Sequence, residues 1–393
     1  MKRSSNKALD QMWSRHSDEW RDPAQICSHW READSVNPDL LRAKITGAWW
    51  PTVERLGVTL LVTREYEHLV IAISTRNGQP HMSFLPLPHP SGLCVDRDRA
   101  KIFIASTRNP NQVFEFRPAI ARDGAGSNSS ASADQPFVPV RSTFYPGCLY
   151  LHDLALINGV LHGNAVGYNA VTRLEPNGSF KLVWWPRCIE RNGSFAFGCN
   201  YIQLNSISGG RSVHDCYYSA SADVISHLRP GHLKYPVDRR GVVFSGKTRE
   251  PICRDLTRPH SVRLHNRHVW VNNSGYGEFG HVDGGRLKVV QRFGSWTRGL
   301  SLIDDVAFVG LSRVIPRFAR YAPGLKVATA RCGVAAVSLR SGEVLGSMEW
   351  PIGNQVFAID WIDRRASLGF PFYVRQRRQR LEPSLFYRYS IDD

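Results

Sequence analysis

Lysine is scarce in this 393-residue chain: nine of its fifty basic residues are Lys, and the other forty-one are Arg. A bias of that kind follows from GC-rich coding, and the charge is spread along the chain. The formal net charge of +16 therefore loses much of its force as a nucleic-acid signature. Long apolar runs are missing as well. No stretch approaches the ~18 uninterrupted apolar residues of a transmembrane helix, and the opening MKRSSNKALDQMWSRHSDEW lacks the apolar core of a secretory signal. The expected address is the cytoplasm, and no membrane partner is expected. The eight cysteines include no C-x-x-C pair, which removes zinc fingers and ribbons. Isolated thiols in a reducing compartment serve mainly as small core residues. Beyond residue 57 there are no long amphipathic helices to cover a parallel sheet, so α/β folds are excluded. With 42% hydrophobic and 21% charged residues, the chain can nonetheless bury a large core.

Residues 1–56 carry five tryptophans (Trp13, Trp20, Trp30, Trp49, Trp50), the helix-compatible stretches SNKALDQMW and NPDLLRAKI, and an N-cap signal in Asn37 before Pro38. They read as a helical cap. From Gly57 the pattern changes to period two, in GVTLLVT, HLVIAIS, KIFIAS, QVFEF, RHVWVNN, LKVVQRF, DVAFVGL and GVAAVSL, punctuated by NG, DG, SG and GG turns. This is the pattern of an all-β sandwich, barrel or propeller.

An internal repeat chooses among them. HDLALINGVLHGNAVGY, from His152, aligns with HSVRLHNRHVWVNNSGY, from His260. Looser copies start at Ser91, Gln203, Arg298 and Gln355, and successive starts lie 61, 51, 57, 38 and 57 residues apart. Six starts at the spacing of four-stranded blades predict a six-bladed β-propeller over residues 57–374, seven being the alternative count. GVTLLVT and HLVIAIS are expected to complete the C-terminal blade and leave no open edge. The segment 121–135 reads as a loop. Residues 375–393 form a tail whose basic cluster is Arg375, Arg377, Arg378 and Arg380.

The residues that open the innermost strands should face the mouth of the channel. They are Ser91, His152, Gln203, His260, Arg298 and Gln355, all polar. Such a ring suits a polar or anionic small molecule or a modified peptide, with Arg298 as the fork for a carboxylate or phosphate. His152 and His260 could ligate a divalent or transition metal, with His89, Asp153 or Glu278 as third ligand. A metal-free alternative has one His as general base and Arg298 or Tyr276 stabilising an oxyanion. The alternative is a ring that is polar only because the mouth of any propeller is wet. Tyr168 and Tyr276 occupy matching positions that suggest packing between blades, and Asn164 and Asn272 should cap the turn after the second strand. NNSGYGEFG has no following helix to make it a dinucleotide fingerprint, and no G-x-S-x-G elbow marks a serine hydrolase. The expectation is an enzyme or ligand-binding protein. A protein-interaction scaffold is the competing class, and nucleic-acid binding through the tail comes third.

The stretches PHPSGLCVD, VFSGKTREPICRDLTRPHSVRL and VWVNNSGYGEFG resemble blades of the NHL, regucalcin and gluconolactonase-like six-bladed propellers. The segment from about 45 to 372 resembles more closely an uncharacterised bacterial family with a domain of unknown function, on the motifs RPHS, NNSGYGE, SWTRGL and PIGNQVFAID. That resemblance implies the fold and no activity. The early metal-binding Glu of the lactonase-like group has no match in this chain, so its calcium and its reaction do not carry over.

Overall fold

A computed structural model of the chain describes residues 36–107, 111–121, 135–191, 194–195, 200–373 and 389–390. Residues 1–35 of the cap expected over 1–56, nearly all of the 121–135 loop and the Arg375–Arg380 cluster lie outside the described residues.

Among the described residues, period-two segments joined by tight turns form six antiparallel blades. Asn77-Gly78 and Asn158-Gly159 take positive φ at both turn positions, as a two-residue hairpin requires. The innermost strands of blades 1 to 5 are Pro90–Asp96, Leu151–Ile157, Leu204–Ile207, Pro259–His265 and Trp296–Ile303. In blade 6 the innermost strand, Ala358–Asp363, comes from the C-terminal side. It pairs with Val58–Arg64, which pairs with Leu69–Arg76 and then Gln79–Pro86. The expected closure is therefore present, and six blades rather than seven complete the ring.

One expectation fails locally. NPDLLRAKI is not a helix: Asn37 caps only a 3-10 turn, Pro38–Leu40, through its side chain and Asp39 N. Lys44–Gly47 then adds a fifth strand to blade 5 beside Val344–Trp350. The strand wins because that outer edge offers unpaired backbone groups. An α-helix follows, Trp49–Leu56, with Trp49 buried edge-on against Phe308 at 5.7 Å.

Polar staples join each blade to the next at its inner strand. Thr63 Oγ1 donates to Ser91 O, Ser91 Oγ to Leu151 O, and Asn164 Nδ2 to Leu204 O. Asn205 Nδ2 donates to Pro259 O, Asn272 Nδ2 to Gly299 O, and Ser312 Oγ to Val356 O. Six junctions thus satisfy buried carbonyls that the strand ladders leave over. Asn164 and Asn272, expected to cap a turn, reach the neighbouring blade instead. Among the described residues no helix is long and apolar enough to cross a membrane.

Candidate functional site

The register places two tiers of side chains at the mouth. Leu151 pairs with Ala165, Leu204 with Ala220 and Pro259 with Asn273. The residues that follow, His152, Asn205 and His260, are counterparts; Ser91 and Arg298 hold the same place in blades 1 and 5. Two residues earlier stand His89, Tyr150, Gln203 and Arg258, and all four adopt left-handed φ, between 41° and 54°. Non-glycine residues pay for that conformation. Its recurrence at one position in four blades marks the outer tier as a built feature.

The sequence-predicted residues divide between these tiers. Gln203 belongs to the outer tier, and the inner-tier residue of its blade is Asn205, whose buried Oδ1 has no hydrogen-bond partner among the described residues. Gln355 also stands outside. In the orientation that satisfies its amide, it donates to Glu65 at 3.0 Å and accepts from Arg298 Nη1 at 2.6 Å. Phe357 occupies the place inside it, edge-on to His152 at 5.6 Å, with the Arg298 guanidinium 3.4 Å from its ring centroid.

Two expected ligand contacts are corrected. Ser91 is fully buried, and its hydroxyl is spent on Ala105 O and Leu151 O. The Tyr276 hydroxyl donates to Asp238 at 3.0 Å, on the loop of the preceding blade, so it is not aimed at an oxyanion. The metal expectation also lacks a third donor. His152 and His260 lie with ring centroids 6.0 Å apart and planes 26° from parallel. His89 instead packs edge-on to His68 at 4.3 Å and donates its backbone N–H to His68 Nδ1. Asp153 is held by Arg263 at 2.8 Å, and Glu278 by Arg292 at 3.0 Å. Among the described residues no three His, Cys, Asp or Glu side chains gather closely enough for a metal.

What the mouth does hold is positive charge. Arg298 is buried, and its Nε and Nη2 have no hydrogen-bond partner among the described residues. Arg258 is buried too, with its Nε in the same state. Burial, then Arg298, His152 and Arg258, hold the His260 pKa well below its ordinary range, so this imidazole is neutral at pH 7. Glu65, held by Thr107 at 2.6 Å, acts on Arg298 together with the more weakly felt Asp153.

Residues 47–368 match the model of a family described as a domain of unknown function, DUF4915. The chain belongs to that family. Similar solved structures include a chain in the crystal structure of a nidogen/laminin complex (8% identity, 78% of this chain and 98% of that one covered, TM-score 0.49). Others are a protein of unknown function from Bacteroides caccae (9%, 78% and 99%, 0.48) and a gluconolactonase from Xanthomonas campestris (13%, 75% and 86%, 0.42). No curated protein matches the chain. Likenesses this distant carry no functional argument.

In this DUF4915 propeller, sequence reasoning passed over Asn205, Arg258, Tyr150, Phe357, Glu65 and Arg320. A signal existed for the first four. Each stands two residues from a recognised opener, and period two puts both on the same face of the strand. Glu65 and Arg320 lie in the 3-10 turns Glu65–Glu67 and Pro316–Tyr321 and had no such signal.

Proposed function

We propose that this propeller binds an anionic small molecule at the channel mouth, between His152, His260, Arg298 and Arg258. The observation that carries the reading is Arg298: a buried guanidinium with two nitrogens lacking hydrogen-bond partners among the described residues. Burying a cation without a full partner costs several kcal/mol, and a carboxylate or phosphate offered to its free edge would recover that cost. Stacking on Phe357 holds the guanidinium flat and pre-organised. His260, held neutral beside Arg298, offers such a ligand an uncharged hydrogen-bonding imidazole that adds no competing charge. The metal-assisted version is not carried forward, because among the described residues no third donor joins His152 and His260.

Arg298→Met tests the reading. The unliganded variant should melt at the wild-type temperature or above it, because an underpaired buried cation has been removed. Stabilisation of the wild type by added phosphate or citrate should vanish. A drop of several degrees in the unliganded variant, with anion stabilisation intact, would make Arg298 structural and sink the proposal.

A further inference from the structure

Arg258 and Arg320 both lie on the ring of Tyr321, their guanidinium carbons 4.0 and 4.6 Å from its centroid. Two cations sharing one aromatic ring repel each other: burial lowers the Arg258 pKa to about 10, Tyr321 and Tyr235 oppose that, and Arg320 adds a smaller lowering. Neither has a carboxylate partner among the described residues. Arg320 Nε and Nη1, like Arg258 Nε, are buried nitrogens with no hydrogen-bond acceptor there.

Arg258 Nη1 donates to Gln203 Oε1 and Ser221 Oγ, and Arg320 Nη2 to the Tyr321 hydroxyl; their other acceptors are backbone. Arg258 Nη2 donates to Pro230 O, and Arg320 Nη2 to Gly231 O at 2.9 Å; the Tyr321 hydroxyl also donates to Gly231 O, at 3.3 Å. Pro230 and Gly231 belong to the segment 221–240, which joins the second and third strands of blade 3. Its tip is exposed, with Leu233 81% accessible. A neutral carbonyl is a weak substitute for an anion against a guanidinium.

The two ends of the mouth are electrostatically joined. Arg298 and Arg258 both act on His260, and Tyr150 is within reach of both. Glu65 and Asp153 both act on Arg298, but Asp153 is already paired with Arg263, and among the described residues neither Arg258 nor Arg320 has a carboxylate partner, which leaves positive charge in excess at the mouth.

We propose that Arg258 and Arg320 form a second anion subsite, so that the mouth takes a small molecule with two acidic groups, and that the Pro230–Gly231 carbonyls occupy this subsite until the ligand displaces them. This rests on the anion-binding reading of Arg298 and adds the ligand's second charge. The segment 221–240 is then a lid whose latch and whose trigger are the same guanidinium groups. Two carboxylates, or a carboxylate and a phosphate, share the required chemistry.

The test is calorimetric titration of the full chain with acetate, succinate and phosphoglycolate, paired with tryptic cleavage after exposed Lys234. Succinate or phosphoglycolate should bind at least about tenfold more tightly than acetate, and which of the two binds better identifies the second group. Arg320→Gln should bring the dianions to the acetate level and leave acetate binding unchanged. Because Arg320 is only half-buried, this variant is the one expected to keep its fold, whereas Arg258→Gln removes a fully buried group. The tighter dianion should also speed cleavage after Lys234, as the latch is lost, while acetate should not. Equal binding of acetate and the dianions, an Arg320→Gln variant that keeps the preference, or cleavage unchanged or slowed by the tighter dianion overturns the second subsite. Loss of acetate and dianion binding alike in Arg298→Met leaves the first reading standing through any of those outcomes. If no anion binds and Arg298→Met changes nothing, both readings fall.

Discussion

Arg263 of blade 4 reaches Asp153 of blade 2, its Nη1 2.8 Å from Oδ2, with Asp153 buried and Arg263 part-buried. Burial pushes the Asp153 carboxyl up while Arg263 pulls it down. The backbone N–H groups of Ile207 and Leu154 also donate to Asp153. Asp153 is thus a tie between blades 2, 3 and 4, directly beneath His152.

Breaking that tie on one side leaves an uncompensated buried charge, whereas removing both charges does not. Arg263→Met should therefore cost roughly 3–5 kcal/mol in urea unfolding. The double variant Asp153→Leu, Arg263→Met should recover much of that loss. A double variant as unstable as the sum of the two single ones would show that the ion pair is not the unit.

Asn164 and Asn272 occupy matching repeat positions but carry unequal loads. Asn164 Oδ1 accepts from His152 N and Asp153 N, and its Nδ2 donates to Leu204 O. Asn272 makes the single bond to Gly299 O, and its Oδ1 has no partner among the described residues. Each buried group left unsatisfied costs about 1–3 kcal/mol. Asn164→Ala should thus destabilise more than Asn272→Ala in the same denaturant assay, and the reverse order would refute the staple account.

His260 should shape the acid limb of stability. Its folded pKa is depressed, first by burial and then by Arg298, His152 and Arg258. As pH falls through about 6.5, the unfolded chain takes up a proton there that the folded chain refuses. The unfolded state then binds more protons, so stability rises with pH: the contribution is complete above the unfolded value and is lost as pH falls toward the folded one. The urea midpoint should drop between about pH 7.5 and pH 5.5, and less steeply in His260→Gln. An identical slope in the variant would assign the effect to other groups.

Gly310 couples packing to the site. A Cβ there would stand 2.0 Å from Arg298 O and 2.6 Å from Val356 Cγ1. Gly310→Ala should cost roughly 1–3 kcal/mol by overpacking and weaken anion binding through displacement of the Arg298 backbone. Thermal melting and calorimetry together check this; full anion affinity in a destabilised variant would separate the strand from the site.

Much of the architecture is written in near-neighbour patterns. Alternation in HLVIAIS or GVAAVSL puts every second side chain on one face, the NG pairs demand positive φ, and six similar starts count six blades. His152, His260 and Arg298 were legible for that reason: a strand opener's direction follows from its own backbone. The left-handed backbone at His89, Tyr150, Gln203 and Arg258 was not legible, because non-glycine residues take it only when surrounding structure compels them. Nor were the contacts that define the site's charge. Asp153 and Arg263 stand 110 residues apart, and Arg258 meets Arg320 only where Tyr321 and the 221–240 segment come together. Strand patterning is a local property of the chain, whereas the meeting of these groups is a consequence of closing the ring, which brings distant openers to one axis and leaves their charges to be balanced there.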